Sequence, residues 1–520
     1  MRFMKIKKLL LAIITVVSLI PVFLSLVNSV HQPQSQSNFQ LYQTNLILKT
    51  SQIFDNDHQK IKSISQYISG QQPYIDALKK YSETHGILSD RLDELSTELK
   101  TFDNNTIGVK EEILSLNSSN ISDHRKKVLT DIDYRKKTLS NLNLKIGLLE
   151  VAQGNTKQAL DIWKNNNSLL SPSSSNKVSD VLINLWNNSF VKSDDAEFII
   201  KENLNGWFLS YSLKRLYEIE DRQQDLQILQ AKYEKNLQST ILKLAFLNII
   251  PGLGSVVGIG IIIFSLIQLI LRQDSAILNI SSDYKWEIPW TVETPWKVFI
   301  IGFFFFGQII LPALFTTLNI NLINLSLRGK AIYIFSSYLI MALGGILVLY
   351  LSIKPFFPLP QKLFNFKIFK NWIIWGISGY LVALPSVLII SLINDNFWGG
   401  KGGSNPLLSL VLENQDLFAL AIFYLTAAVA APFYEEIIFR GFLLPSLTRY
   451  ISPWGAIIVS SLIFAVAHLN ISEILPLTTL GIILGVVYTR SGNLLSSILM
   501  HSLWNTGTLV SLFLLGTGGN

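Results

Sequence analysis

An all-α, polytopic membrane helix bundle with an N-terminal helical extramembrane domain is the fold class that this 520-residue sequence predicts. Three observations predict it. Apolar runs near the roughly 20 residues a membrane helix needs recur about nine times along the chain. Charged residues make up only 15% of the sequence and hydrophobic ones 49%, against about 25% charged in ordinary soluble domains. The polar residues are also segregated, collecting in one block between the first apolar run and the second. A formal charge of +7 and a pI near 9.1 raise the question of nucleic acid. Lys and Arg are scattered or lie beside apolar runs, with no basic stripe interleaved with aromatics, so cytoplasmic loops account for the charge and nucleic acid does not. The absence of cysteine excludes disulfides, thiolate catalysis and Cys-ligated zinc.

Residues 1–30 read as a membrane anchor. The apolar run 9–27 follows Arg2, Lys5, Lys7 and Lys8 and exceeds the roughly 7–15 residues of a signal-peptide core. No small-x-small cleavage pattern follows it, so the anchor is expected to be uncleaved, with its N-terminus in the cytoplasm.

Residues 31–238 read as a helical extramembrane domain. Leu88, Leu92, Leu95 and Leu99 follow a 4-3-4 spacing, a short coiled-coil-like seam. The run from Leu148 to Asn155 leads into Ala159, Leu160 and Trp163, a helix, a Gly154-Asn155 turn and a second helix that resemble one tetratricopeptide-type hairpin. Trp207, Leu213, Leu216, Tyr217 and Leu226 suggest a second, looser one, and Ser171 to Asn176 read as a flexible loop. An irregular helical bundle fits these features equally. A repeat module would bind a protein partner rather than catalyse.

Residues 239–400 and 401–520 carry the remaining spans, at 244–271, 298–318, 331–353, 372–393, 417–444, 454–469, 474–488 and 494–515. The runs 454–469 and 474–488 are short, and Pro251-Gly252 and Pro385 interrupt two others. With the N-terminus inside, most loop Lys and Arg, including Lys354, Lys362, Lys367 and Lys370, fall on the cytoplasmic side, as the positive-inside rule expects. The polar block 31–238 is then extracytoplasmic.

Three polar clusters interrupt the last hundred residues: Glu435-Glu436 with Arg440, Phe464 with His468, and His501 with Asn505. Ionisable residues at bilayer depth are costly and mark functional sites by default. Adjacent Glu435 and Glu436 point about 100° apart on a helix, and Arg440 lies one turn after Glu436 on the same face. Glu436 is therefore expected to pair with Arg440, leaving Glu435 free to react. Charges snorkelling to the interface are the plain alternative. His468, one turn after Phe464, reads equally as a hydrogen-bonded interfacial histidine. His501 and Asn505 present two donors on one face, suited to an oxyanion or to ordinary interhelical hydrogen bonds. Measured along ideal helices, Glu435, His468 and His501 lie ~15, ~22 and ~12 Å from the cytoplasmic turns. All three fit one slab of the bilayer, His468 least well.

Taken in order, Glu-Glu-x-x-x-Arg, Phe-x-x-x-His and His-x-x-x-Asn resemble the three motifs of the CPBP (Abi) family of CAAX prenyl endopeptidases and bacteriocin-processing proteins. The resemblance covers roughly 417–515. It implies a metal-free intramembrane endopeptidase of glutamic type, without cofactor, in a bacterial inner membrane. In it Glu435 and His468 would activate water, His501 and Asn505 would hold the oxyanion, and Glu436, Arg440 and Phe464 would support them. The substrate would be a membrane-proximal peptide, a prenylated CAAX sequence being one option. A His2Glu zinc site built from Glu435, His468 and His501 is the competing chemistry. A non-catalytic scaffold and a proton-coupled transporter are the competing functions, although no duplicated halves are evident for the latter.

Overall fold

The computed structural model describes residues 2–30, 32, 35–51, 72–107, 111–166, 174–187, 191–272, 275–281, 285–318, 320, 325–368, 371–399 and 401–517. Among these residues the chain is helical and has no strand. It forms two compact units, Met1–Gln36 with Phe246–Gly516, and Ser37–Ala245 with Thr517–Asn520. The first helix, α1 (Arg2–Ser29), belongs to the apolar unit.

The polar unit begins with α2 (Ser35–Thr50), α3 (Pro73–Ile107) and α4 (Glu111–Ala152). Leu92 and Leu95 of the predicted seam are buried against Val128, Ile132 and Leu139 of α4, flanked by Leu88 and Leu99. The seam thus joins two successive helices. After α4 the chain turns at Gly154, whose φ of +89° lies where L side chains are strained, and Asn155 donates to Glu150 at 2.8 Å. Helix α5 (Thr156–Asn166) returns with Ala159 and Trp163 buried. Gly147 makes room for that indole, since a Cβ there would lie 2.2 Å from Trp163 Nε1. Helices α6 (Ser174–Trp186), α7 (Ala196–Asn203) and α8 (Gly206–Ile219) each pack on the one before. Val178, Leu182, Ile200, Trp207 and Leu216 continue the same core. Ser174 to Asn176, expected in a loop, instead begin α6; Ser171 to Ser173 lie outside the described residues. Helix α9 (Gln223–Arg272) runs unbroken from polar into apolar sequence.

The apolar unit continues with α10 (Glu293–Thr317), α11 (Leu327–Ile353), α12 (Trp372–Trp398), α13 (Pro406–Glu413), α14 (Leu417–Thr448), α15 (Pro453–Val466), α16 (Ile474–Ser491) and α17 (Leu494–Gly516). Eight helices, α1, α9 to α12, α14, α16 and α17, are long and apolar enough to cross a membrane, and α15 is a shorter apolar helix. A bundle of about nine spans fits. Leu343, Leu347, Leu388, Ile389 and Leu392 are more than half exposed, a surface that hydrocarbon accommodates and water does not. Pro251 and Pro385 do not interrupt their spans but sit inside continuous α9 and α12. Membrane helices tolerate proline because neighbouring groups re-satisfy the freed carbonyls.

Helix α15 is shorter than predicted. Ser452 caps it, accepting from Gly455 N–H at 3.2 Å, with Pro453 at the first position. It ends at Val466, two residues before His468, and Leu469 has φ +64°. Its 14 residues rise about 21 Å, less than the roughly 30 Å hydrocarbon core. It packs closely on α16, where a Cβ at Gly481 would lie 2.8 Å from Ser461 Cβ. A polar knot holds the turn that follows. Ser29 Oγ accepts from Ile471 N–H at 3.1 Å, Ser472 Oγ donates to Gly403 O at 2.8 Å, and Asn394 donates to Ser472 O at 2.7 Å.

Candidate active site

Helix α14 carries the two glutamates between two wider, π-helical stretches, Leu425–Ala430 and Ile437–Leu443. Such turns misalign the regular backbone ladder and recur at functional sites. Helix α17 uses carbonyls of the first stretch: Ser502 Oγ donates to Ala428 O at 2.5 Å, and Asn505 Nδ2 donates to Ala427 O at 2.7 Å. These bonds hold the His501-Asn505 face of α17 against the π-helical stretch that precedes Glu435 by about two turns.

Glu436 and Arg440 form the pair expected from their spacing. Arg440 Nη1 lies 2.7 Å from Glu436 Oε1, both side chains being essentially inaccessible (1% and 0%). The second guanidinium nitrogen, Nη2, donates to Gly481 O at 3.1 Å, tying α14 to α16. The guanidinium also lies over the Phe464 ring, 4.6 Å from its centroid, a favourable cation–π geometry.

Glu435 faces elsewhere and keeps 16% of its side chain accessible. It is not unpartnered. Tyr338 of α11 donates its hydroxyl to Glu435 Oε1 at 3.1 Å, and His501 Nε2 lies 3.9 Å from Oε2, too far for a direct hydrogen bond. The other ring nitrogen, His501 Nδ1, is 3.0 Å from Glu436 Oε1. His501 therefore stands between the two glutamates. The sequence missed Tyr338 because an aromatic in an apolar span carries no local polar signal.

His468 sits in the turn after α15. Its Nδ1 lies 2.8 Å from Phe464 O. A carbonyl only accepts, so Nδ1 carries the proton there, and in the neutral ring Nε2 presents a lone pair. Asn470 donates to His468 O at 3.2 Å and to Glu473 Oε2 at 3.3 Å, bracing the turn. Phe464 links the two histidines, its ring edge-on to His468 at 4.8 Å between centroids and to His501 at 5.7 Å. The three sequence clusters thus converge: Phe464 touches Arg440 and both imidazoles, and His501 reaches both glutamates. Among the described residues no group of three or more His, Cys, Asp or Glu side chains is arranged to hold a metal ion.

Comparison with known proteins falls on the same region. The chain is 27% identical over 139 residues to the Bacillus subtilis membrane peptidase candidate YdiL, covering 26% of this chain and 55% of that protein. It is 27% identical over 190 residues to the membrane-embedded CAAX protease MroQ of Staphylococcus aureus, covering 35% of this chain and 74% of that one. It is 31% identical over 103 residues to an uncharacterized 24.3 kDa protein of Escherichia coli, covering 19% and 48%. The chain thus spans about half the length of YdiL and of the Escherichia coli protein. No solved structure matches. The apolar helices and the membrane-peptidase relatives together support an integral, multi-pass membrane protein. The family model that matches is the Type II CAAX prenyl endopeptidase, Rce1-like, and it matches this chain over residues 417–507, the stretch that contains all three clusters.

Proposed function

We propose that the protein is an intramembrane endopeptidase of glutamic type, acting on membrane-proximal peptides, of which prenylated CAAX sequences are one class. The observation that carries this reading is the division of labour between adjacent acids. Glu436 is sealed and ion-paired, whereas Glu435 is partly accessible and has His501 Nε2 3.9 Å from its Oε2. A sealed pair alone would be structural. An accessible carboxylate held beside it is what water activation needs.

In this mechanism Glu435 and the lone pair on His468 Nε2 orient a water and take its proton. The resulting hydroxide adds to the scissile carbonyl carbon. His501, in its protonated form, and the Asn505 N–H not used on Ala427 donate to the oxyanion. Collapse of the tetrahedral intermediate expels the amine, which receives the proton first taken from water. Phe464, Glu436 and Arg440 hold the imidazoles and the helix in register.

The proposal assigns 1–30 to an anchor, 31–238 to an extracytoplasmic helical domain that binds a protein partner, 239–400 to supporting spans and 401–520 to the catalytic spans. The setting is a bacterial inner membrane, with the N-terminus cytoplasmic. Purified protein in liposomes, offered a library of quenched fluorescent peptides, tests the chemistry. Cleavage that persists in a strong chelator is expected. Cleavage lost to chelator and restored by zinc overturns the metal-free mechanism.

A further inference from the structure

Glu435 carries two oxygens, and different helices address them. Oε2 faces His501 of α17, within the family-matched stretch, while Oε1 accepts from Tyr338 of α11, well outside it. The contact is built by the α11 face. Tyr338 and Gly345 are two helical turns apart and so share one stripe. At Gly345 a Cβ would lie 2.1 Å from the Tyr434 hydroxyl, so only glycine lets the Tyr434 ring lie flush against α11. Tyr434 directly precedes Glu435, and its ring meets Tyr338 edge-on at 6.2 Å. Close approach at Gly345 therefore delivers Glu435 to the Tyr338 hydroxyl.

We propose that Tyr338 is a positioning residue for the reaction, fixing the orientation of Glu435 through the hydrogen bond to Oε1, so that the working site extends to α11. The proposal rests on the endopeptidase reading above. The hydrogen bond holds Oε1 in place, so that Oε2 keeps its position beside His501. One hydrogen bond to a charged group corresponds to about a 10- to 100-fold effect on rate. A packing role alone would lower stability without separating kcat from KM.

The test compares kcat and KM at one pH for wild type and Tyr338→Phe, in liposomes with a quenched fluorescent peptide the wild type cleaves. For Tyr338→Phe, kcat is expected to fall by about 10- to 100-fold with KM little changed. Incorporation of 3-fluorotyrosine at 338 keeps ring and hydroxyl, and should hold kcat within a few-fold of wild type. An unchanged kcat in Tyr338→Phe, or a fluorotyrosine protein as impaired as Tyr338→Phe, overturns the proposal. Should Tyr338→Phe fail to fold, 4-fluorophenylalanine at 338, which fills the place of the hydroxyl without a donor, is measured instead and must show the same fall in kcat. Failure of the underlying reading looks different: wild type cleaves nothing, or Glu435→Gln cleaves normally.

Discussion

Arg440→Ala removes the guanidinium 2.7 Å from Glu436 Oε1 at a site where neither side chain is appreciably accessible. Glu436 then remains buried, with His501 Nδ1 3.0 Å from its Oε1. Breaking a buried pair by deleting one partner typically costs about 3–5 kcal/mol. The same substitution deletes the bond to Gly481 O, about 1 kcal/mol net, and the cation–π contact with Phe464, about another 1 kcal/mol. These overlap, so a loss of about 4–6 kcal/mol is expected. At about 2.1 cal/mol/K of unfolding entropy per residue, that corresponds to a fall in melting temperature of about 4–9 °C, the upper end applying where the apolar unit melts on its own. Differential scanning fluorimetry on detergent-purified protein reads it directly, alongside folded yield. Glu436→Gln combined with Arg440→Gln should recover part of the loss, because neither charge is then stranded. A melting temperature for Arg440→Ala within about 1 °C of wild type, well below the expected shift, would refute the reasoning.

Other outcomes follow from the same geometry. His468→Ala should abolish peptide cleavage with little change in melting, since His468 lies in a turn beyond α15; retained cleavage counts against its role as base. Gly147→Ala pushes a methyl to 2.2 Å from Trp163 Nε1 and should destabilise the polar unit by about 1–3 kcal/mol, read as a lower melting temperature; an unchanged melt contradicts that packing. Ser193, exposed between α6 and α7, tests the topology in this cysteine-free chain. Ser193→Cys should react with a membrane-impermeant maleimide on intact cells, and labelling only after permeabilisation reverses the orientation.

The spans were legible because bilayer thickness imposes a length that composition reveals directly. The Leu88–Leu99 seam and the Glu436–Arg440 pair were legible because both depend only on helical spacing. Features set by tertiary contact were not. Pro251 and Pro385 look like breaks locally, yet their helices continue where the surrounding bundle supplies partners. Ala467 and Leu469 extend the apolar run of α15, but the helix ends at Val466 and Leu469 has φ +64°, so His468 sits in a turn. Ser174 to Asn176 have loop composition, yet serine and asparagine also favour helix starts, and there they open α6. At the site, spacing could separate the two glutamates but could not show that His501 bridges them, or that Tyr338 approaches from α11.

The central claim is that adjacent glutamates do different work, and a matched comparison of Glu435→Gln with Glu436→Gln tests it most directly. Each variant is purified, melted and assayed on the same cleavable peptide in liposomes. Glu435→Gln should melt close to wild type and show no turnover. Glu436→Gln should melt lower because Arg440 loses its buried partner, whatever activity it keeps. Turnover surviving in Glu435→Gln, or a drop in melting temperature equal in the two variants, would contradict the account.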